Sequence, residues 1–412
     1  MKKFIYSTGI VLLSLFSIAG ATPGSWSAQN LFSNLSRSYS VTFVINGKGY
    51  FGTGAFASGS NNIFLKDFWE YDPTSDTWTQ KADYAGNERT GASGFSTANF
   101  GYVGLGADQL TTYKDFWQFD PNGNVWTAKA VFPGTQRVYA ISYTAGGSGY
   151  IGLGRAYTPF GNTLFFNDVY QYDESNDAWI QKGNYPGLAR SWANTVELNG
   201  KGYIIAGSSG GGILDEVWEY TPGTDGWIQK SSLPGARTYA TGFAMHDSAF
   251  VGLGRQQNGN VFTFFNDMWA YDPIADTWSA MTSFPGAPRY RAIAFGLIDH
   301  GYIALGSDAF TEFNDVWKFD PLVPTITGIS NAASQNIKIY PTVTTGQVKV
   351  EGLSSNDVWT IHLFTSTGQS VYRTRIQNSE IFSLDLSNFT SGIYILKMES
   401  AGKIISEKLV KE

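Results

Sequence analysis

The chain has 412 residues, 42% of them apolar and 16% aromatic, and its 47 glycines suit many short strands joined by tight turns around a large core. Cysteine is absent, which excludes a disulfide framework, thiol catalysis and any cysteine-ligated metal or cofactor. Only His246, His300 and His362 remain for base or metal work, and a formal net charge of −6 makes the chain a poor nucleic-acid binder, so no metal, no cofactor and no nucleic acid are expected.

The N-terminus runs Lys2-Lys3, an apolar stretch from Phe4 to Ile18, then Ala19-Gly20-Ala21. These are the charged, hydrophobic and small-residue parts of an export signal spanning residues 1–21, with cleavage expected after Ala21. The stretch is shorter than the ~20 residues a spanning helix needs. No later segment is long and apolar enough either, so no transmembrane segment is expected in the mature chain, which should act outside the cytoplasm.

A repeat of about fifty residues follows. Arg37, Arg89, Arg137, Arg190, Arg237 and Arg289 recur at intervals of 52, 48, 53, 47 and 52, in step with Trp26, Trp78, Trp126, Trp179, Trp227 and Trp278. Each unit reads as four strands. In the first, Arg37 opens strand A, Asn46-Gly47-Lys48-Gly49 turns the chain, and Tyr50 to Gly54 forms strand B. The Asn-Gly pair suits a tight hairpin because both central positions want positive φ. After a variable loop, strand C starts at Asp67, and Pro73 to Asp76 turn into strand D with Trp78. The strand-C aromatic precedes the strand-D tryptophan by nine residues in all five complete units, which fits a short fixed hairpin. A Gly-x-Gly such as Gly52-Thr53-Gly54 or Gly252-Leu253-Gly254 ends most B strands.

This order of arginine, A strand, glycines, variable loop, Tyr-Asp and tryptophan resembles the Kelch repeat family over about residues 22–321, with Gly-x-Gly in place of the family's adjacent glycines. The resemblance implies an all-β, six-bladed β-propeller, expected over residues 22–324. The sixth unit lacks its own strand-D tryptophan, and Trp26 stands eleven residues before Arg37, the spacing seen from Trp78 to Arg89. The N-terminal segment is therefore expected to supply the outer strand of the last blade and close the ring.

After Pro324 the pattern changes. Residues 325–335 read as a linker, and residues 336–412 alternate apolar and polar residues as a small β-sandwich would, with a carbohydrate-binding sandwich one reading. Ile339-Tyr340-Pro341, Phe364 to Gln369, Leu384-Asp385-Leu386, Ser391 to Tyr394 and Lys408 to Lys411 resemble the C-terminal sorting domain of the type IX secretion system. That implies the secretion machinery as a partner and export to the surface, with the tail cut off or exchanged for an anchor.

Candidate binding residues gather on the face shared by the D–A and B–C connections. All nine arginines between residues 22 and 330 fall there, although that stretch has 18 basic and 27 acidic residues. The six repeated arginines face Asp67, Asp115, Asp168, Asp215, Asp267 and Asp315, one per unit, and a structural ring of ion pairs between neighbouring blades is expected. Arg155, Arg255 and Arg291 have no partner fixed by the repeat and are the better ligand candidates, since a guanidinium fork pairs carboxylate, sulfate or phosphate. Tyr39, Tyr139, Trp192, Tyr239 and Arg291 stand two positions after a repeated arginine and should line the channel mouth. Asp108 and Asp308 follow the strand-B glycines of blades two and six and complete the set. Asp72 to Asp76 could suggest a calcium loop, but the recurring Asp-Pro is better explained by turn geometry.

No catalytic constellation emerges. The reading favoured is a secreted or surface protein that binds a glycan or an extracellular protein ligand through this face. The Kelch resemblance keeps open a carbohydrate-active enzyme of the sialic acid mutarotase type, and a structural surface protein is the third reading. Galactose oxidase chemistry is disfavoured, because its copper site needs a tyrosine cross-linked to cysteine.

Overall fold

The computed structural model describes residues 24–58, 61–158, 160–297, 299–321, 337–354, 357–365, 370–377, 379–400 and 403–412. The expected export signal and the 325–335 linker lie outside these residues. Among the described residues no helix is long and apolar enough to cross a membrane.

Among the described residues, six antiparallel four-stranded sheets make up the larger part. In the first blade strand A is Val41–Ile45, B is Lys48–Gly52, C is Phe68–Asp72 and D is Thr77–Lys81. Ile45 pairs with Lys48, so the A–B turn is the two residues Asn46 and Gly47, at φ 51° and 73°. Strand B thus takes in Lys48 and Gly49, and strand C starts one residue after Asp67.

The innermost strands are Val41–Ile45, Ser93–Ser96, Ile141–Ala145, Asn194–Leu198, Thr241–Met245 and Ile293–Gly296. Each adjoins the next, and the sixth adjoins the first, so the sheets close into a ring around an axial channel of about 570 Å³. Ser25–Ala28 pairs antiparallel with Val316–Asp320, with Trp26 opposite Phe319, and so forms the outer strand of the sixth blade as expected. The Trp26 indole packs on Phe284 and Phe319 and donates to the Thr282 carbonyl at 3.0 Å.

Apolar burial runs between blades rather than within them. Phe51 and Tyr71 of blade one pack with Phe295 and Tyr302 of blade six, so no blade has a complete core alone. Two hydrogen-bonded seams reinforce the joints. The last glycine of each Gly-x-Gly position donates its N–H to the carbonyl of the next blade's repeated arginine, as Gly54 to Arg89, Gly254 to Arg289 and, across the closure, Gly306 to Arg37. Nearer the rim, Asp76, Asp177, Asp225 and Asp276 accept backbone N–H groups of Asn30, Ala130, Gly183 and Ser231 in the adjoining blade. All four carboxylates also accept a tyrosine hydroxyl of their own blade. The Asp72 to Asp76 turn is therefore a blade joint, with Asp76 held at φ 51°.

The tail is a second all-β unit. A sheet of Lys338–Tyr340, Gln347–Glu351 and Ile381–Asp385 accompanies a five-stranded sheet that includes Trp359–Thr365, Gly392–Ser400 and Lys403–Lys411. Its core gathers Val348, Trp359, Ile361, Leu384, Leu396 and Leu409.

Candidate functional site

The six repeated arginines are buried, and each forms an ion pair inside its own blade. Arg237 shows the geometry. Its Nη1 and Nη2 bind Asp267 at 2.6 and 2.8 Å, Nη1 also donates to the Leu253 carbonyl, and Nε donates to the Gly235 carbonyl. In every blade Nη1 reaches the carbonyl of the middle Gly-x-Gly position and Nε reaches the carbonyl two residues back.

This arrangement corrects two expectations. The pairs do not link neighbouring blades, because strand A and strand C of one sheet bring arginine and acid together over the end of strand B. In blade four, Glu216 rather than Asp215 receives Arg190. The paired acid stands two residues before the strand-C aromatic, as Asp67 does before Trp69, and with Trp218 opposite Ile204 that position is Glu216. Arg37 also governs the charge of its partner. Burial alone would raise the Asp67 carboxyl, but Arg37 hydrogen bonds and charge, with the Trp69 indole, hold it below the usual carboxylate range.

Two residues past each arginine the backbone is left-handed in all six blades, at Tyr39, Gly91, Tyr139, Trp192, Tyr239 and Arg291. That conformation costs a non-glycine residue roughly 1–2 kcal/mol. It brings together rings from blades that are not neighbours. Tyr39, Tyr139 and Tyr239 of blades one, three and five touch one another at centroid distances of 5.1 to 6.4 Å, which places them on the axis. Trp192 packs on Tyr239 at 4.8 Å and on Tyr139 at 5.7 Å. Burial raises all three tyrosine hydroxyls well above their ordinary range, so at neutral pH they are uncharged donors.

Arg155, Arg255 and Arg291 surround this aromatic cluster. Arg155 lies over Trp192 at 3.9 Å, Arg291 over Tyr39 at 3.9 Å and Tyr290 at 4.0 Å, and Arg255 over Phe262 and Tyr290 at 4.6 and 4.7 Å. Among the described residues none of the three has an ion-pair partner within 4 Å, and Nε of Arg155 and of Arg291 is buried without a hydrogen bond. An unmet buried donor of this kind costs about 1–3 kcal/mol until something fills it.

The cavity beside Arg291 measures about 440 Å³ and is lined by Tyr39, Tyr139, Tyr157, Asp108, Asp308 and Phe310 among others. Asp108 and Asp308 are less free than the sequence suggests. Asp108 accepts N–H groups of Leu110 and Thr111 and the Tyr113 hydroxyl, and Asp308 accepts those of Phe310 and Thr311. Both acids thereby shape the loops that leave Leu110 and Phe310 93% and 97% exposed at the rim. Among the described residues no group of acids and histidines could hold a metal ion.

Two participants escaped sequence reasoning. Tyr290 stacks with both Arg255 and Arg291, and its signal was visible, since it is the only aromatic directly after a repeated arginine. Glu312 lines the cavity, accepts the Ala57 N–H at 3.1 Å and acts on Arg291; burial pushes its carboxyl up.

Comparison with known proteins adds two findings. Residues 338–412 match the family described as the secretion system C-terminal sorting domain. The chain is thus a type IX secretion substrate, exported to the cell surface or the extracellular space, and its tail engages the secretion machinery. Among solved structures, one described as "Structure of YjhT" aligns with a TM-score of 0.57 at 15% identity, over 68% of this chain and 94% of that one. At that identity the likeness shows the fold alone. No curated protein matches the chain.

Proposed function

We propose that this exported chain is a Kelch-type binding protein, delivered by an N-terminal signal peptide, which recognises a glycan or an extracellular protein through the arginine and aromatic face of its propeller. The observation that carries this reading is the contrast among nine arginines on one face. Six are closed by carboxylates of their own blades, whereas among the described residues Arg155, Arg255 and Arg291 lie against aromatic rings with no ion pair, and Nε of Arg155 and of Arg291 is buried without a hydrogen bond. Exposed Phe310 shares the cavity with Arg291, and exposed Tyr157 and Phe262 contact Arg155 and Arg255, which supplies apolar surface around them as a partner or a sugar ring would use.

The test is a glycan array and an extracellular-protein array probed with the full mature chain and with the R155Q/R255Q/R291Q variant. Binding should fall by at least about tenfold in the variant, since charge-assisted bonds are the strong ones, while its melting temperature stays close to that of the parent. Undiminished binding by the triple variant would sink the assignment of the site.

A further inference from the structure

Arg255 and Arg291 depart from the other arginines in a specific way, because they contact the same two rings. Their guanidinium carbons lie 4.7 and 4.0 Å from the Tyr290 centroid and 5.7 and 5.2 Å from that of Tyr239. Sharing two rings at such distances puts the cations within about 9 Å of each other, a range over which like charges repel in a partly dry site. The ring faces attract each cation but carry no net charge. Glu312 acts on Arg291 through its charge, but among the described residues it makes no ion pair with it within 4 Å, and its carboxyl oxygen accepts the Ala57 N–H. Neither guanidinium has an ion pair or a side-chain hydrogen bond among the described residues, and the buried Nε of Arg291 is unmet.

We infer that Arg255 and Arg291 are two halves of one anion clamp, and that the ligand carries a sulfate or phosphate ester whose oxygens bridge them. This rests on the binding function proposed above. A carboxylate has two oxygens, which a single guanidinium fork satisfies, whereas a tetrahedral ester has three free oxygens and serves two forks at once. The body of the ligand then occupies the cavity that opens from Arg291 past Tyr39 and Phe310.

The experiment measures binding of the full mature chain to dextran sulfate, dextran phosphate, carboxymethyl dextran and plain dextran at fixed ionic strength. The sulfated or the phosphorylated polymer should bind at least about tenfold more tightly than the carboxymethyl polymer, because only tetrahedral groups engage both forks. Which of the two binds better identifies the ester. R255Q and R291Q should each lose about tenfold, and the double variant should lose little more than either alone, the non-additivity expected of residues that share one partner. Equal binding of carboxymethyl dextran, or losses that simply add, overturns the clamp. If array ligands of the triple-variant test bind without preferring esters, the clamp fails and the binding function stands; if no array ligand and no polymer binds, both fail.

Discussion

Replacing Arg237 with leucine separates the two classes of arginine by their effect on stability. The native side chain is 1% exposed and makes five hydrogen bonds, two to Asp267 and three to the carbonyls of Pro234, Gly235 and Leu253. Breaking one side of a buried pair costs about 3–5 kcal/mol, because the remaining charge loses its compensation. The Asp267 side chain is 33% exposed and keeps the Trp269 indole as a donor, so water recovers part of the loss and the lower end of the range, about 3–4 kcal/mol, applies. Unfolding entropy of about 2.1 cal/mol/K per residue over a ~300-residue propeller turns this into a fall in melting temperature of roughly 5 °C. Arg255→Leu removes no ion pair and relieves repulsion from Arg291, so its transition should move by no more than about 1–2 °C, the scale of a lost cation–ring contact. Thermal unfolding followed by tryptophan fluorescence reads both. A second comparison guards the interpretation, since R237L/D267L removes both charges and should regain more than half of the loss. Equal shifts for R237L and R255L, or no recovery in the double variant, would refute the division of the arginines into structural and ligand-binding sets.

Other consequences can be checked the same way. The Asp67 carboxyl has a folded pKa below its unfolded value of about 3.9, so its stabilising pair is intact above that pH and is lost as pH falls through the folded value. Urea unfolding should therefore show stability declining below pH 4, with D67N less stable at pH 7 but losing less on acidification; parallel pH profiles would argue against the pair as a source of acid sensitivity. Gly254→Ala should destabilise by about 2–4 kcal/mol, because Gly254 sits at φ 87° and a Cβ would meet the Thr238 carbonyl at 2.6 Å. Calorimetry that finds G254A neutral would remove that seam from the account of ring closure. Trp26→Ala should open the ring where the chain ends meet, at a cost of about 2–4 kcal/mol, and expose the propeller to limited proteolysis; unchanged protease resistance would contradict closure by the N-terminal strand.

Much of the fold was legible because its signals repeat. Six arginines, the nine-residue step between strands C and D, and the lone Trp26 eleven residues before Arg37 specify blades and closure together. The pairing was legible in kind but not in detail. Asp215 drew attention as an aspartate, although the controlling variable is distance from the strand-C aromatic, which selects Glu216. The blade joints were not readable, since the left-handed backbone at Asp76 or Gly254 has meaning only once the neighbouring blade supplies the Asn30 N–H or the Arg289 carbonyl. Of the site, the positions two past each arginine could be named as lining the mouth. That Tyr39, Tyr139 and Tyr239 meet on the axis follows only from ring closure.

A repeating scaffold places strict limits on where such a protein can change its ligand. The acid that closes each repeated arginine occurs once per blade, at a fixed step from an aromatic in a central strand, so any blade that lost it would leave a buried guanidinium uncompensated. Arg155 and Arg255 occupy a different position, directly after the last glycine of Gly-x-Gly, where blades two and six carry Ala107 and Ser307 and the repeat provides no acid. Arg291 replaces what is tyrosine in blades one, three and five. Each of the three is therefore a departure from the repeat, at a site where the other blades show that folding does not require arginine. Ring contacts return part of their cost in unmet donors and neighbouring like charges, and an anionic ligand is the partner that would offset the rest.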